Sequence, residues 1–409
     1  MNKKKKNFFN ICVEGNTGST GRASEALGNF MISKGWDSYI AHGRFKRDSK
    51  SITIQIENNG GLVYHGLLTR IFDRHGFGSK MATQKLIKQI IQINPDIIHM
   101  HHLHGYYINI ELLFNFLKGF GKPVIWTFHD CWAFTGHCTH FDFVNCNKWK
   151  LECYNCPQKK EYPASYIIDN SRENFAMKKQ LFNSLPNLTI VSVSNWLNSK
   201  VEESFFKDQN KKVILNGIDV DLFTPSLEKT EINAKYGFKN KYTILGVASP
   251  WSERKGLFDF IELSKIVKDD VVFILVGINE EQIKLLPDNI IGLPKTENQN
   301  ELKDLYVSAD LFMNLSVEET FGLTTAEALA CGTPAIVYNS TACPEIINSE
   351  TGIVVPKNNI AEINNAIEKI REKGKEHFSF ACRKRAVEMF DKKRQLNQYY
   401  ELILNLTAK

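Results

Sequence analysis

The chain has 409 residues, 43% of them hydrophobic and 23% charged, with a formal net charge of +6. That is ordinary globular composition at a length of two or three domains, and it excludes a disordered or fibrous chain. The excess of cations is mild and scattered among 45 acids, which argues against the basic stripe of a nucleic-acid binder.

Lys3 to Lys6 form a basic tip, expected to be disordered; such a tip either solvates the terminus or touches anionic lipid. The apolar run that follows, FFNICV, is too short for a secretion signal and leads into Glu14-Gly15-Asn16. No apolar run approaches the length of a membrane span. The chain is therefore expected in the cytoplasm, with any membrane contact peripheral, on the inner face. Residues 8–14 read as a buried strand, Gly15 to Gly21 as a glycine-rich turn, and Ala23, Ala26, Leu27, Phe30 and Met31 as one face of a helix. Residues 36–41 return as a strand, so the chain opens a parallel sheet. Further strands are predicted at 96–100, 123–128 and 189–193, and a second alternating series at 242–248, 271–276, 290–292, 310–315 and 335–338. The pattern is α/β: two doubly wound, Rossmann-like domains, residues 1–215 and 216–387, joined at Asn216-Gly217-Ile218-Asp219. A helical stretch at 388–409 is predicted to pack back on the first domain. Open α/β sheets take ligands at the carboxyl ends of their strands, so a cleft between two such edges is the expected binding place.

In the first domain, the loop from Gly15 to Arg22 follows a strand and opens a helix. Its glycines let backbone amides approach a phosphate, but it is neither G-x-G-x-x-G nor a P-loop, which disfavours a dinucleotide site. His99, His101, His102 and His104 invite a metal reading. Strand alternation sends His99 and His101 to one face and His102 to the other, and no carboxylate is close in sequence; His104-Gly105-Tyr106-Tyr107 reads instead as an acceptor contact. His129, at the end of an apolar strand, is placed to bind a donor sugar or steady charge at a leaving group, with Asp130 fixing its neighbour. Cys138, Cys146, Cys153 and Cys156 crowd one stretch beside His137 and His140. Cys153-x-x-Cys156 is a zinc half-site, while the other pair is spaced wider. Structural zinc, reduced thiols and a disulfide all stay open, and a metal there would order a loop rather than perform chemistry. Asp219-Val220-Asp221 sits in the interdomain turn and reads as linker.

In the second domain, Gly246-Val247-Ala248 ends a strand and Arg254-Lys255-Gly256 opens a helix, supplying cations for a diphosphate. Glu319 and Glu327 bracket Phe321-Gly322-Leu323-Thr324, a loop entering a helix. Amides at a helix start favour an anion, and acids beside it suit hydroxyls on either side: a sugar at one end, a ribose at the other. A nucleotide-sugar has that layout.

Together these motifs resemble the retaining glycosyltransferases of family four, with the GT-B fold of two Rossmann-like domains facing each other across a cleft. The resemblance spans nearly the whole chain: E-x7-E with F-G after the first acid, R-K-G, the N-G-I-D linker with F-T-P, and H-D after a first-domain strand. The G-S-T-G-R loop and the H-D-C-W…T-G-x-C…C-x-x-C-P stretch are similar to a bacterial subgroup of colanic-acid or exopolysaccharide type. The resemblance implies that Glu327 binds the ribose and Glu319 the donor sugar. It places the amides of Phe321, Gly322, Leu323 and Thr324 on the phosphates, and Arg254 and Lys255 on the diphosphate. His129 would contact the transferred sugar, Gly18 and Ser19 would lie near the phosphates and acceptor, and Leu293 near the base. Two positions depart from the pattern: Val247 follows Gly246 where many members carry Arg, and Ala342-Cys343-Pro344-Glu345 stands where many have paired glycines. The implied reaction moves a sugar from a nucleoside-diphosphate sugar to a saccharide acceptor, lipid-linked, with retention and without a catalytic metal. The rivals are a sugar-nucleotide epimerase of the same fold and, remotely, a zinc-carrying nucleic-acid binder.

Overall fold

A computed structural model describes residues 5–226, 232–238 and 240–408; Lys3 and Lys4 of the basic tip lie outside the described residues. Its strands form two wholly parallel sheets. The first contains β1 (Asn7–Gly15), β2 (Asp37–Lys46), β3 (Ile52–Gln55), β4 (Ile97–Met100), β5 (Val124–Phe128), β6 (Leu188–Ser192) and β7 (Asn210–Val213), in the order β3-β2-β1-β4-β5-β6-β7. The second contains β8 (Tyr242–Val247), β9 (Val271–Val276), β10 (Ile290–Leu293), β11 (Leu311–Asn314), β12 (Ala335–Tyr338) and β13 (Gly352–Val355), in the order β10-β9-β8-β11-β12-β13. Both orders reverse direction beside the first strand of the series, between β1 and β4 and between β8 and β11; such switch points are where doubly wound sheets bind ligands.

Parallel strands are covered on both faces and need continuous apolar runs. The central strands β4, β5, β6 and β9 are accordingly buried at every position. The expected strand at 36–41 runs on to Lys46, because β1 pairs with it as far as Gly15. Sequence reading missed β3, β7 and β13. All three are edge strands; β3 (ITIQ) and β7 (NKKV) are half-exposed and polar, so they lack the run that marks a covered strand.

The chain divides into two compact units, Met1–Ile214 with Leu396–Lys409, and Leu215–Gln395. The last helix, Lys392–Thr407, is shared between them. In the first unit its Tyr399, Leu402 and Ile403 join Phe8, Leu27, Met31 and Trp36 in one core cluster. Tyr399 also closes a buried polar chain: its hydroxyl meets Thr127 Oγ1 at 2.9 Å, which meets His99 Nε2 at 2.8 Å. In the second unit the start of the same helix is clasped by the Asn216–Asp219 turn, with Ile218 N donating to Phe390 O at 2.8 Å and Lys392 N to Ile218 O at 3.0 Å. Asp219 Oδ1 accepts the amides of Asp221 and Leu222, and Asp221 pairs with Lys393 at 2.7 Å, so both acids of the D-x-D string have local partners.

One buried cation organises the segment after β5. Lys178, on the helix Ser171–Phe182, donates to Trp132 O at 2.9 Å and Thr135 O at 3.1 Å, with its ammonium 3.5 Å from the Trp132 ring centre. Burial lowers its pKa to about 7 from the ordinary 10.5. Between those values the unfolded chain keeps the proton that the folded chain has released, so this group makes stability rise with pH.

Two predictions follow from these contacts. Ile403→Ala, which hollows a fully buried site, lowers unfolding free energy by about 2–5 kcal/mol in urea titration. Lys178→Met removes the stability rise above about pH 7, read as thermal midpoints of the two proteins across mildly alkaline buffers.

Candidate active site

In the second unit the parallel strands place their carboxyl ends on one edge; the segments that follow β8 and β11 carry Arg254, Lys255, Glu319, Phe321 and Gly322, while Leu293 ends β10 and Glu327 lies within the helix Leu323–Ala330. β11 ends at Asn314, whose Oδ1 accepts from Ser316 N at 3.1 Å and whose Nδ2 donates to Thr325 Oγ1 at 3.2 Å. This side chain ties the strand end to the first turn of the helix Leu323–Ala330. Gly322 precedes that helix at φ 107°, in the region open to glycine. The first bonds of the helix run from Thr325 and Ala326 to Gly322 O, so the amides of Leu323 and Thr324 lie ahead of its ladder and point out of its positive end.

Arg254 and Lys255 reach the same loop. Gly256, at φ 79°, passes so near Leu315 that a Cβ would lie 2.4 Å from its carbonyl oxygen. Val317 N donates to Arg254 O at 2.9 Å. The approach pairs two cations with two consecutive acids: Lys255 Nζ lies 2.5 Å from Glu319 Oε1, and Arg254 Nη1 lies 3.5 Å from Glu318 Oε2. Glu318, which is buried, was not among the residues expected from sequence; the doubled acid of E-E-T-F was the available signal. The segment that departs from the family pattern holds the backbone of Glu319: Glu319 N donates to Thr341 Oγ1 at 2.9 Å, and Ala342 N to Glu319 O at 3.2 Å. Half-buried Glu327 accepts from the hydroxyl of fully buried Tyr306 at 3.0 Å. Leu293 closes β10 with its side chain nearly buried and its carbonyl taken by Gly277 N at 2.7 Å.

In the first unit, β1 leads to the helix Gly18–Ser33, with Gly18 at φ 59° and both Gly18 and Ser19 exposed. Beside it lies a histidine cluster at the ends of β4 and β5. His101 Nδ1 meets His129 Nε2 at 3.0 Å, and His102 Nδ1 meets Thr20 Oγ1 at 3.3 Å. Asp130 Oδ2 is shared by His104 Nε2 at 2.7 Å and His102 Nε2 at 3.4 Å, while its Oδ1 accepts from Trp132 N at 2.9 Å. Burial pushes Asp130 up, but the imidazoles of His104 and His102 outweigh it and hold the carboxyl well below its ordinary range. Burial keeps His102 and His129 neutral, His129 at about 3. No carboxylate is close to the histidine run in sequence, but adjacent strands β4 and β5 bring Asp130 to it in space. Among the described residues, His102, His104 and Asp130 are the group of three metal-capable side chains whose ligand atoms lie within 4.8 Å of one another. Tyr162 OH contacts His104 Nδ1 at 3.2 Å, and Tyr106, at φ 69°, lies with its ring 4.8 Å from that of His75.

Among the described residues no disulfide joins any of the nine cysteines. The four sulfurs of Cys138, Cys146, Cys153 and Cys156 are not gathered into such a metal-capable group. Cys138 is hydrogen-bonded to Cys156; that bond lowers Cys156 to about 7 and, with burial, raises Cys138. Gly136 N donates to Cys153 Sγ at 3.2 Å, and burial raises that thiol to about 12.

Comparison with known proteins follows the same division. Residues 25–222 match the model of Glycosyltransferase Family 4, and residues 228–386 that of Glycosyl transferases group 1. The chain is 24% identical over 364 residues to WcaC of Escherichia coli K12, a glycosyl transferase assigned to colanic acid biosynthesis, covering 81% of this chain and 83% of that one. It is also 24% identical over 223 residues to an Escherichia coli galactosyltransferase that acts from UDP-Gal on α-D-GlcNAc-diphosphoundecaprenol, covering 51% of this chain and 57% of that one. Among solved structures, a glycosyltransferase from Rickettsia africae superposes with a TM-score of 0.71 at 18% identity, covering 99% of both chains. Anabaena HepE, solved with UDP and glucose, superposes with a TM-score of 0.68 at 15% identity, covering 98% of this chain and 100% of that one. With both halves matched in order and two parallel Rossmann-like sheets, the chain is a GT-B glycosyltransferase of the group 1 and family 4 type.

Proposed function

We propose that the protein transfers a hexose from a nucleoside-diphosphate sugar to a lipid-linked saccharide, with retention of anomeric configuration, in bacterial surface polysaccharide synthesis. The observation that carries this reading is the meeting of Lys255, Arg254 and the leading amides of the helix Leu323–Ala330 at the carboxyl edge of one sheet. Two cations and a positive helix end stabilise a departing diphosphate without a metal ion. The pairing of Lys255 with Glu319 suits an exchange on binding: the ammonium turns to phosphate oxygens and the carboxylate to sugar hydroxyls, so neither charge is left unpaired. Glu327 takes the ribose hydroxyls, and Leu293 lies by the base. Gly18 and Ser19 line the phosphate and acceptor side.

His129 contributes a neutral imidazole, which hydrogen-bonds a sugar hydroxyl without adding charge beside the developing oxocarbenium. His104, Tyr106 and Asp130 serve the acceptor. In a front-face displacement the bond from the anomeric carbon to the diphosphate breaks, the acceptor oxygen bonds on the same face, and the leaving phosphate oxygen takes the acceptor's proton. A structural zinc at Cys138, Cys146, Cys153 and Cys156 would require all four thiolates to close on one ion; metal content of the purified protein decides that question.

Glu327→Ala weakens donor binding by roughly ten- to hundredfold in calorimetry, the equivalent of one charge-assisted hydrogen bond of about 1.5–3 kcal/mol; unchanged affinity would remove Glu327 from the site. Turnover persists in a chelator while the fold is intact. Activity lost there and restored only by magnesium would contradict a diphosphate held by protein groups alone.

A further inference from the structure

The helix Asn59–Phe72 is packed with its apolar side outward. It buries His65, Gly66 and Thr69, while Val63 is 63%, Tyr64 61% and Leu67 50% exposed. The orientation is held by specific bonds on the inner face. His65 Nε2 accepts from Gly76 N at 3.1 Å and Gly78 N at 3.2 Å, and His65 Nδ1 meets Ser79 Oγ at 3.0 Å. Turning the helix over would break all of these, so the outer face is left needing an apolar partner. The patch extends beyond the helix. Tyr166 and Ile167, both exposed, follow its last turn, where Tyr166 N donates to Arg70 O at 2.8 Å. On the other side Met81 is 85% exposed, at the rim of a groove of about 860 Å³ between this helix and the helix Lys80–Ile93.

Charge identifies what fits this face. Residues 58–93 contain Arg70, Arg74, Lys80, Lys85 and Lys88. Their one acid, Asp73, is buried and paired with His137. In the groove wall the carboxylate of Glu57 is nearly buried and accepts from Asn58 N at 3.0 Å. Among the described residues, Arg70, Lys80, Lys85 and Lys88 form no ion pair and are exposed. A symmetric contact with a second copy would set cations against cations with no acid to answer them. An anionic lipid surface answers both features: apolar side chains enter the acyl boundary while lysine and arginine heads stay among the phosphates.

We propose that this face of the first unit docks the protein onto an anionic phospholipid bilayer. The proposal goes beyond the sugar transfer described above, and its test needs neither donor nor acceptor, so the two stand or fall separately. The full chain is floated with vesicles of phosphatidylcholine alone and of phosphatidylcholine mixed with phosphatidylglycerol. It is expected to rise with the anionic vesicles, less so as salt increases, and to stay down with the neutral ones. Val63→Glu with Leu67→Glu abolishes the binding, and Lys80→Ser with Lys85→Ser weakens partition by roughly fivefold per cation removed. All four side chains are exposed, and unchanged near-ultraviolet dichroism checks that the fold survives. Deleting residues 2–6 leaves most of the binding in place. The proposal is overturned if the glutamate pair still floats, if removal of the tip alone abolishes flotation, or if light scattering shows that the glutamate pair breaks up a dimer of a chain that never bound vesicles.

Discussion

At Gly256 the backbone passes within van der Waals reach of Leu315, and any side chain there would strike the Leu315 carbonyl. The charge arrangement of the candidate donor site depends on this approach. It brings Arg254 and Lys255 to the loop after β11 and lets each cation meet an acid, Glu318 and Glu319. Acids without those partners would repel a diphosphate arriving at the start of the helix Leu323–Ala330. Cations without the acids would hold the phosphates but offer nothing to the hydroxyls around them. Pairing the two keeps each charge partnered and leaves an exchange available to a ligand that carries both groups.

The first unit handles charge differently. Asp130 is held ionised between His104 and His102, while His102 and His129 are kept neutral by enclosure. A neutral imidazole beside a reacting sugar can donate or accept a hydrogen bond according to its tautomer, and the His101 contact on Nε2 of His129 constrains that choice. Lys178 supports the same region from behind, by fixing the carbonyls of Trp132 and Thr135 just after the strand that delivers His129 and Asp130. The outward-facing helix Asn59–Phe72 belongs to this unit as well, so one sheet carries both a polar edge and an apolar, cationic flank.

The sequence by itself determined the class of fold and the identity of most candidate residues. Covered parallel strands must be apolar throughout, so VIWTF and VVFILV announce themselves, and the spacing of Glu319, Phe321-Gly322 and Glu327 marks a loop entering a helix. The edge strands β3 and β7 were not legible, because an uncovered strand carries no such run. Partnership was decided only by tertiary structure. Glu318 pairs with Arg254 across more than sixty intervening residues, and Asp130 reaches His102 and His104 because β4 and β5 are neighbours in the sheet. The outward apolar face of the helix Asn59–Phe72 was hidden for the same reason. Periodicity shows which residues share a face, but which face turns inward is settled by the hydrogen bonds His65 finds in the backbone of Gly76 and Gly78.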